Sequence, residues 1–142
     1  AILDNPDVDK WGGTNYAPVM NAVLDTYFRG ERVTSGGFLG MFKKTEQRAP
    51  RDTHIPALCL FITDGDNNDE AEAEKILREA RQHQIYWQLI GIGTDTDFRF
   101  IKKMADDLPN AGFCHFPSLR VSDEAIYEAL LTSELCDWLR KL

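Results

Sequence analysis

Two apolar runs separated by one amphipathic segment constrain this chain more than any other feature. Leu58-Cys59-Leu60-Phe61-Ile62 is continuously apolar and Ile85 to Ile92 nearly so. Runs of that length suit strands buried on both faces of a parallel sheet. The segment between them, Asp69 to Gln82, begins acidic (Asp69, Glu70, Glu72) and ends basic (Arg78, Arg81), which complements a helix dipole. Strand, helix, strand in this order implies parallel pairing through crossovers, with helices covering both faces of the sheet. Thr63-Asp64-Gly65 follows the first strand directly, so topology exposes Asp64 at the C-terminal rim where such sheets bind ligands.

The rest of the chain extends the alternation. Val19, Met20, Val23, Leu24, Tyr27 and Phe28 recur at helical spacing between Thr14 and Phe28, with Pro18 in the first turn and Gly30 as the stop. Thr96 or Asp97 is expected to cap a helix whose apolar face is Phe98, Ile101, Ala105 and Leu108, ending near Pro109. Phe113 to Phe116 reads as a short third strand. From Ser122, a plausible N-cap, one long amphipathic helix carrying Ile126, Tyr127, Leu130, Leu131, Leu135, Trp138 and Leu139 is expected to reach the C-terminus. The fold expected is α/β: a doubly wound, Rossmann-like parallel sheet. Gly30 to His54 is the exception, with no sustained period of either kind. A connection of that length is usually functional or mobile. It reads either as a hairpin-like insertion whose aromatics tuck against the domain, or as a partner-binding loop. In the second reading Phe38, Met41 and Phe42 are presented among Lys43, Lys44, Arg48 and Arg51.

Composition excludes several classes. With 142 residues and 43% hydrophobic content the chain can bury one core, and no apolar run approaches the roughly 20 residues that span a bilayer. A net charge of −7 argues against nucleic acid, because phosphate binding needs a concentrated basic surface. Cys59, Cys114 and Cys136 are odd in number and far apart, which disfavours a disulfide framework or zinc site and fits a reducing cytoplasm.

The chemistry concentrates in two loops. Gly12-Gly13-Thr14 opens a helix and Asp64 ends a strand, placing a hydroxyl and a carboxylate in adjacent loops, a pairing that suggests a metal site. A threonine hydroxyl is a weak, neutral ligand, and an aspartate can hold a hard cation directly or through a water, as Mg²⁺ prefers. Separately, Thr14 is merely an N-cap and Asp64 merely a turn residue. Asp64-x-Asp66-x-Asn68 is not a calcium loop, since Asp69 stands where glycine is needed and Lys75 where glutamate is needed. Asp66 and Asp69 more simply crowd negative charge near the metal or favour the helix start. Gly91-x-Gly93 lacks the third glycine of a dinucleotide loop. Cys114-His115 cannot form a nucleophile and base, because neighbouring strand residues face opposite sides. Asp106-Asp107 reads as a solvated helix end, and His54 and His83 as surface residues. The rival reading is a Mg-dependent hydrolase or phosphoryl-transfer enzyme using Asp64 and Asp66.

Gly-Gly-Thr-Asn-Tyr-Ala-Pro-Val (12–19), Ile-Thr-Asp-Gly-Asp (62–66), Tyr-Trp-Gln-Leu-Ile-Gly-Ile-Gly (86–93) and Tyr-Glu-Ala-Leu-Leu (127–131) together resemble the von Willebrand factor A family. The wording is most similar to its bacterial tellurium-resistance and stress-response group. The resemblance spans residues 1–142, with a gap in likeness at about 30–55. It implies a metal-ion-dependent adhesion site in which Thr14 is a direct ligand and Asp64 a water-mediated one. It also implies Mg²⁺ (or Mn²⁺ or Ca²⁺), a protein partner that offers an acidic side chain to the metal, and no catalysis. The family's D-x-S-x-S segment is missing: Ser35, Ser118, Ser122 and Ser133 sit in no such pattern. Only about eleven residues precede the Gly-Gly-Thr loop, where the family places three strands. The chain is therefore expected to be the C-terminal part of such a domain, binding metal weakly alone and associating with the missing half or forming a dimer.

Overall fold

The computed structural model of this chain describes residues 14–35, 44–48 and 55–142, with the backbone alone for 31–35 and 44–48. β1 (Glu31–Ser35) and β2 (Lys44–Arg48) pair antiparallel, so part of the Gly30 to His54 segment is a two-stranded ribbon. Phe38, Met41, Phe42, Lys43, Arg51 and His54 lie outside the described residues, as do Gly12 and Gly13. β3 (Ala57–Thr63), β4 (Ile85–Ile92) and β5 (Ala111–Phe116) form one parallel sheet in that order, matching the expected α/β class.

β4 is central and buried along almost its whole length, as its apolar sequence demands. The register sets Cys59 beside Trp87 and Phe61 beside Leu89, then Trp87 beside Ala111 and Leu89 beside Phe113. Because side chains alternate across a strand, these residues share one face. Three helices pack on it: α1 (Ala17–Leu24), α2 (Glu70–Glu79) and α3 (Arg99–Asp107). Met20, Leu24, Leu77, Ile101 and Met104 meet Phe61, Trp87 and Leu89 there in a single buried cluster.

The opposite face carries Leu58, Leu60 and Ile62 from β3, Tyr86, Gln88 and Ile90 from β4, and Gly112 and Cys114 from β5. α4 (Asp123–Leu130) follows β5, and α5 (Ser133–Arg140) supplies cover for this face, with the Trp138 ring 5.6 Å from that of Tyr86. That cover ends at β4. Leu58, Leu60 and Ile62 are 48%, 44% and 59% exposed, while Tyr86 and Gln88 are fully buried. Here the expectation of burial on both faces is corrected, because β3 is the edge of this sheet among the described residues and one side of it is open.

Local chemistry accounts for the other departures. The first helix closes with a wider π-helical turn, Asp25–Arg29, before Gly30 stops it at φ 87°. Neither Thr96 nor Asp97 caps α3. Phe98 stands at its start in the left-handed region (φ 54°), and Asp97 instead accepts from Arg99 Nε at 2.5 Å. Phe98 is buried against Gly91, where an added Cβ would lie 2.7 Å from the ring. Gly91 makes room for that ring and Gly93 adopts φ 102°, so structure alone explains the Gly-x-Gly spacing. The single C-terminal helix is corrected to two. Ser122 Oγ accepts from Ala125 N–H at 3.2 Å as expected, but Thr132 Oγ1 accepts from Leu135 N–H at 3.3 Å and starts α5 afresh. His83 is only half-exposed: it stacks on Phe28 at 4.9 Å, and burial, aided by the Arg29 charge, holds its pKa below the usual imidazole value.

Candidate functional site

The loops bearing Thr14 and Asp64 are joined at the C-terminal rim of the sheet. Thr14 forms a parallel bridge with Asn67, and its carbonyl accepts from Asn68 N–H at 3.1 Å. Tyr16 is buried, its ring edge-on to Phe61 with centroids 5.0 Å apart. Its hydroxyl donates to the Gly65 carbonyl and lies 3.1 Å from Thr63 Oγ1, which also accepts from Gly65 N–H at 3.3 Å. Burial raises the Tyr16 pKa, and the nearby charges of Asp66, Asp69 and Asp64 act in the same direction against the Thr63 hydrogen bond. The phenol therefore remains a donor, holding the turn that presents Asp64.

Asp69 works in an unexpected place. It precedes α2, yet its side chain makes no cap there; its carboxylate accepts from Tyr16 N–H at 3.0 Å and Ala17 N–H at 2.8 Å, at the start of α1. Asn67 Nδ2 donates to the same carboxylate at 3.1 Å. Burial opposes its charge, but these hydrogen bonds outweigh that and hold its carboxyl below the usual carboxylate range. Asp69 does favour a helix start, as the sequence suggests, but the helix is α1.

Other polar groups of the two loops have no partner among the described residues, the buried Asn67 Oδ1 among them. The Thr14 hydroxyl and the Asp64 carboxylate belong to exposed residues, and neither has a hydrogen bond or ion pair with any described residue. A methyl group on Gly65 would lie 3.7 Å from Thr14 Oγ1, so the hydroxyl sits against the Asp64–Gly65 turn. Two uncommitted oxygen donors of the hard type fit a Mg²⁺-like ion, which takes oxygen ligands and keeps several waters. They are too few to enclose one. Among the described residues no group of three or more His, Cys, Asp or Glu could hold a metal.

Asp66 faces elsewhere. With Glu70, Thr94, Asp95, Thr96, Asp97 and Arg99 it lines an open polar cleft of about 600 Å³ that includes neither Thr14 nor Asp64. Asp107 at the end of α3 pairs with Arg78 and Lys103 at 3.5 Å, so that acidic helix end is exposed but paired. The three cysteines are free, and burial pushes the Cys59 thiol up to about 11. Sequence reasoning missed Tyr16 as the hydroxyl that holds the Asp64 turn. The available signal was its place two residues after Thr14, since a tyrosine starting a helix beside a strand end can reach across to the next loop.

A family model described as the vWA domain found in the C terminus of TerF matches residues 2–142. The chain is also similar to the "Uncharacterized protein YcbR" of Bacillus subtilis (strain 168), 28% identical over 145 aligned residues. That alignment takes in 99% of this chain and 50% of the relative, so the chain spans about half the length of the curated relative it matches. No solved structure matches. Among the described residues no helix is long and apolar enough to cross a membrane.

Proposed function

The chain belongs to the vWA-TerF-like family, and from that premise we propose that it serves as a metal-ion-dependent protein-interaction module of a bacterial tellurium-resistance or stress-response system, without catalysis. One observation carries this reading. The Thr14 hydroxyl sits against the Asp64–Gly65 turn, and neither it nor the Asp64 carboxylate is hydrogen-bonded to a described residue. They would hold Mg²⁺, or Mn²⁺ or Ca²⁺, with the remaining oxygens coming from water and from a D-x-S-x-S segment outside this chain. When bound, the ion offers an electron-poor position to an acidic side chain of a partner protein. The edge of β3, open among the described residues and with Leu58, Leu60 and Ile62 beside it, is where further strands of such a domain would pair. A second copy of the chain is the alternative occupant. The net charge of −7 supports a partner other than nucleic acid, and the free thiols are in keeping with a cytoplasmic setting.

The hydrolase reading needs Asp64 and Asp66 on one ion. It has less support, because Asp66 lines a cleft that Asp64 does not enter and, among the described residues, no third carboxylate completes a cluster. The test is a Mg²⁺ titration of a longer protein in which a D-x-S-x-S segment accompanies this chain. Thr14→Ala and Asp64→Ala should each weaken binding while the protein stays folded. Unchanged affinity in both would overturn the reading.

A further inference from the structure

α1 begins without a cap of its own. Tyr16, at its N-cap position, makes no side-chain cap, so the first N–H groups of the helix need an acceptor from elsewhere. Asp69 supplies both of its carboxylate oxygens, Oδ1 to Tyr16 N–H and Oδ2 to Ala17 N–H. Two oxygens on two successive N–H groups fix the position of the helix start and also its direction. Thr14 lies just two residues upstream, and its backbone is held again by Asn67 and Asn68 from the same loop. Asn67 in turn is bonded to Asp69. The start of α1 is thus set by the β3–α2 loop, which is also the loop that carries Asp64.

From this geometry we infer that Asp69 is the positioning residue of the candidate metal site, a carboxylate that touches no ion and holds the Thr14 hydroxyl beside the Asp64–Gly65 turn before an ion arrives. The inference rests on the metal reading of Thr14 and Asp64. Its physical content is preorganisation: ligands fixed by surrounding hydrogen bonds lose less freedom when the ion binds. A charge effect would be different, since the Asp69 carboxylate would then attract the ion whether or not Thr14 were a ligand.

Two measurements on the longer protein decide it. Without metal, amide hydrogen exchange at Tyr16 and Ala17 should be slow in the wild type and at least about tenfold faster in Asp69→Ala, with β4 amides unchanged. In Mn²⁺ titrations read by the free-ion paramagnetic signal, Asp69→Ala should weaken binding by about tenfold. In a Thr14→Ala background the same change should add less than about twofold, the non-additivity of residues acting as one unit. If Asp69→Ala unfolds the protein, Asp69→Asn keeps one acceptor oxygen and carries the same comparison. Equal weakening in both backgrounds, or unchanged exchange at Tyr16 and Ala17, overturns the positioning role while leaving the metal reading intact. If Thr14→Ala and Asp64→Ala leave Mn²⁺ affinity untouched, the metal reading falls and this inference falls with it.

Discussion

The two faces of β3 are built from the same kinds of residue and meet opposite fates. Phe61 points inward and is 8% exposed; its neighbour Ile62 points outward and is 59% exposed. Nothing in Leu58-Cys59-Leu60-Phe61-Ile62 distinguishes them. The difference lies in what covers each face: α1, α2 and α3 lie over the inward side, whereas on the outward side α5 packs over Tyr86 of β4 and leaves Leu58, Leu60 and Ile62 exposed. A strand records how many of its faces are apolar, and other parts of the fold decide how many are buried. The outward face of β3 therefore reads as a surface made to be covered.

The largest effect expected from this contrast is on the inward side. Phe61→Ala should destabilise the chain by about 3–5 kcal/mol, the usual cost of emptying a large buried site, measured by denaturant unfolding. Outward, Ile62→Ala should cost no more than about 0.5 kcal/mol in the 142-residue chain. In the longer protein the same change should cost about 2–5 kcal/mol, because the site is then filled from outside. Small, equal costs in both settings would make the flank ordinary solvent surface. The isolated chain should also associate through this edge in solution, since an unpaired strand with apolar neighbours recruits another. A stable monomer with cooperative unfolding would break the comparison.

A smaller effect tests the joined rim against the open flank. Asp69→Ala should cost about 1–2 kcal/mol in thermal or denaturant unfolding, the scale of a lost helix cap. The pH dependence follows in sign. Asp69 is held below its ordinary value of 3.8, so its contribution is fully present above that value and is lost as pH falls through the lower folded value. His83, also depressed, from 6.5, should contribute a weaker loss beginning as pH falls below that value. In Asp69→Ala the acid loss should shrink and the loss near His83 should remain. An identical acid profile in wild type and variant would remove Asp69 from the account.

The parallel sheet, its strand segments and most helix positions were legible, because continuous apolar runs and 3.6-residue periods reflect burial directly. Ser122 as a cap and Gly30 as a stop were legible for the same local reasons. The break at Leu131–Thr132 was not, because the apolar stripe runs on through it while Thr132 and Ser133 start a new helix. Asp69 was half legible. Its position before α2 suggests a cap, but only the approach of α1, 52 residues away in sequence, reveals which helix takes the hydrogen bond. Thr14 and Asp64 came from a motif, and the structure adds that the Thr14 hydroxyl sits against the Asp64–Gly65 turn and that neither side chain is hydrogen-bonded to a described residue.

The most direct measurement is a pair of calorimetric titrations with Mg²⁺ or Mn²⁺, one on the 142-residue chain and one on a longer protein that supplies a D-x-S-x-S segment. The account predicts weak or no binding by the chain alone, where two side-chain ligands face an ion that needs about six oxygens. It predicts specific binding by the longer protein that Thr14→Ala and Asp64→Ala each weaken. Tight, stoichiometric binding by the chain alone, or binding by the longer protein that ignores both substitutions, would contradict it.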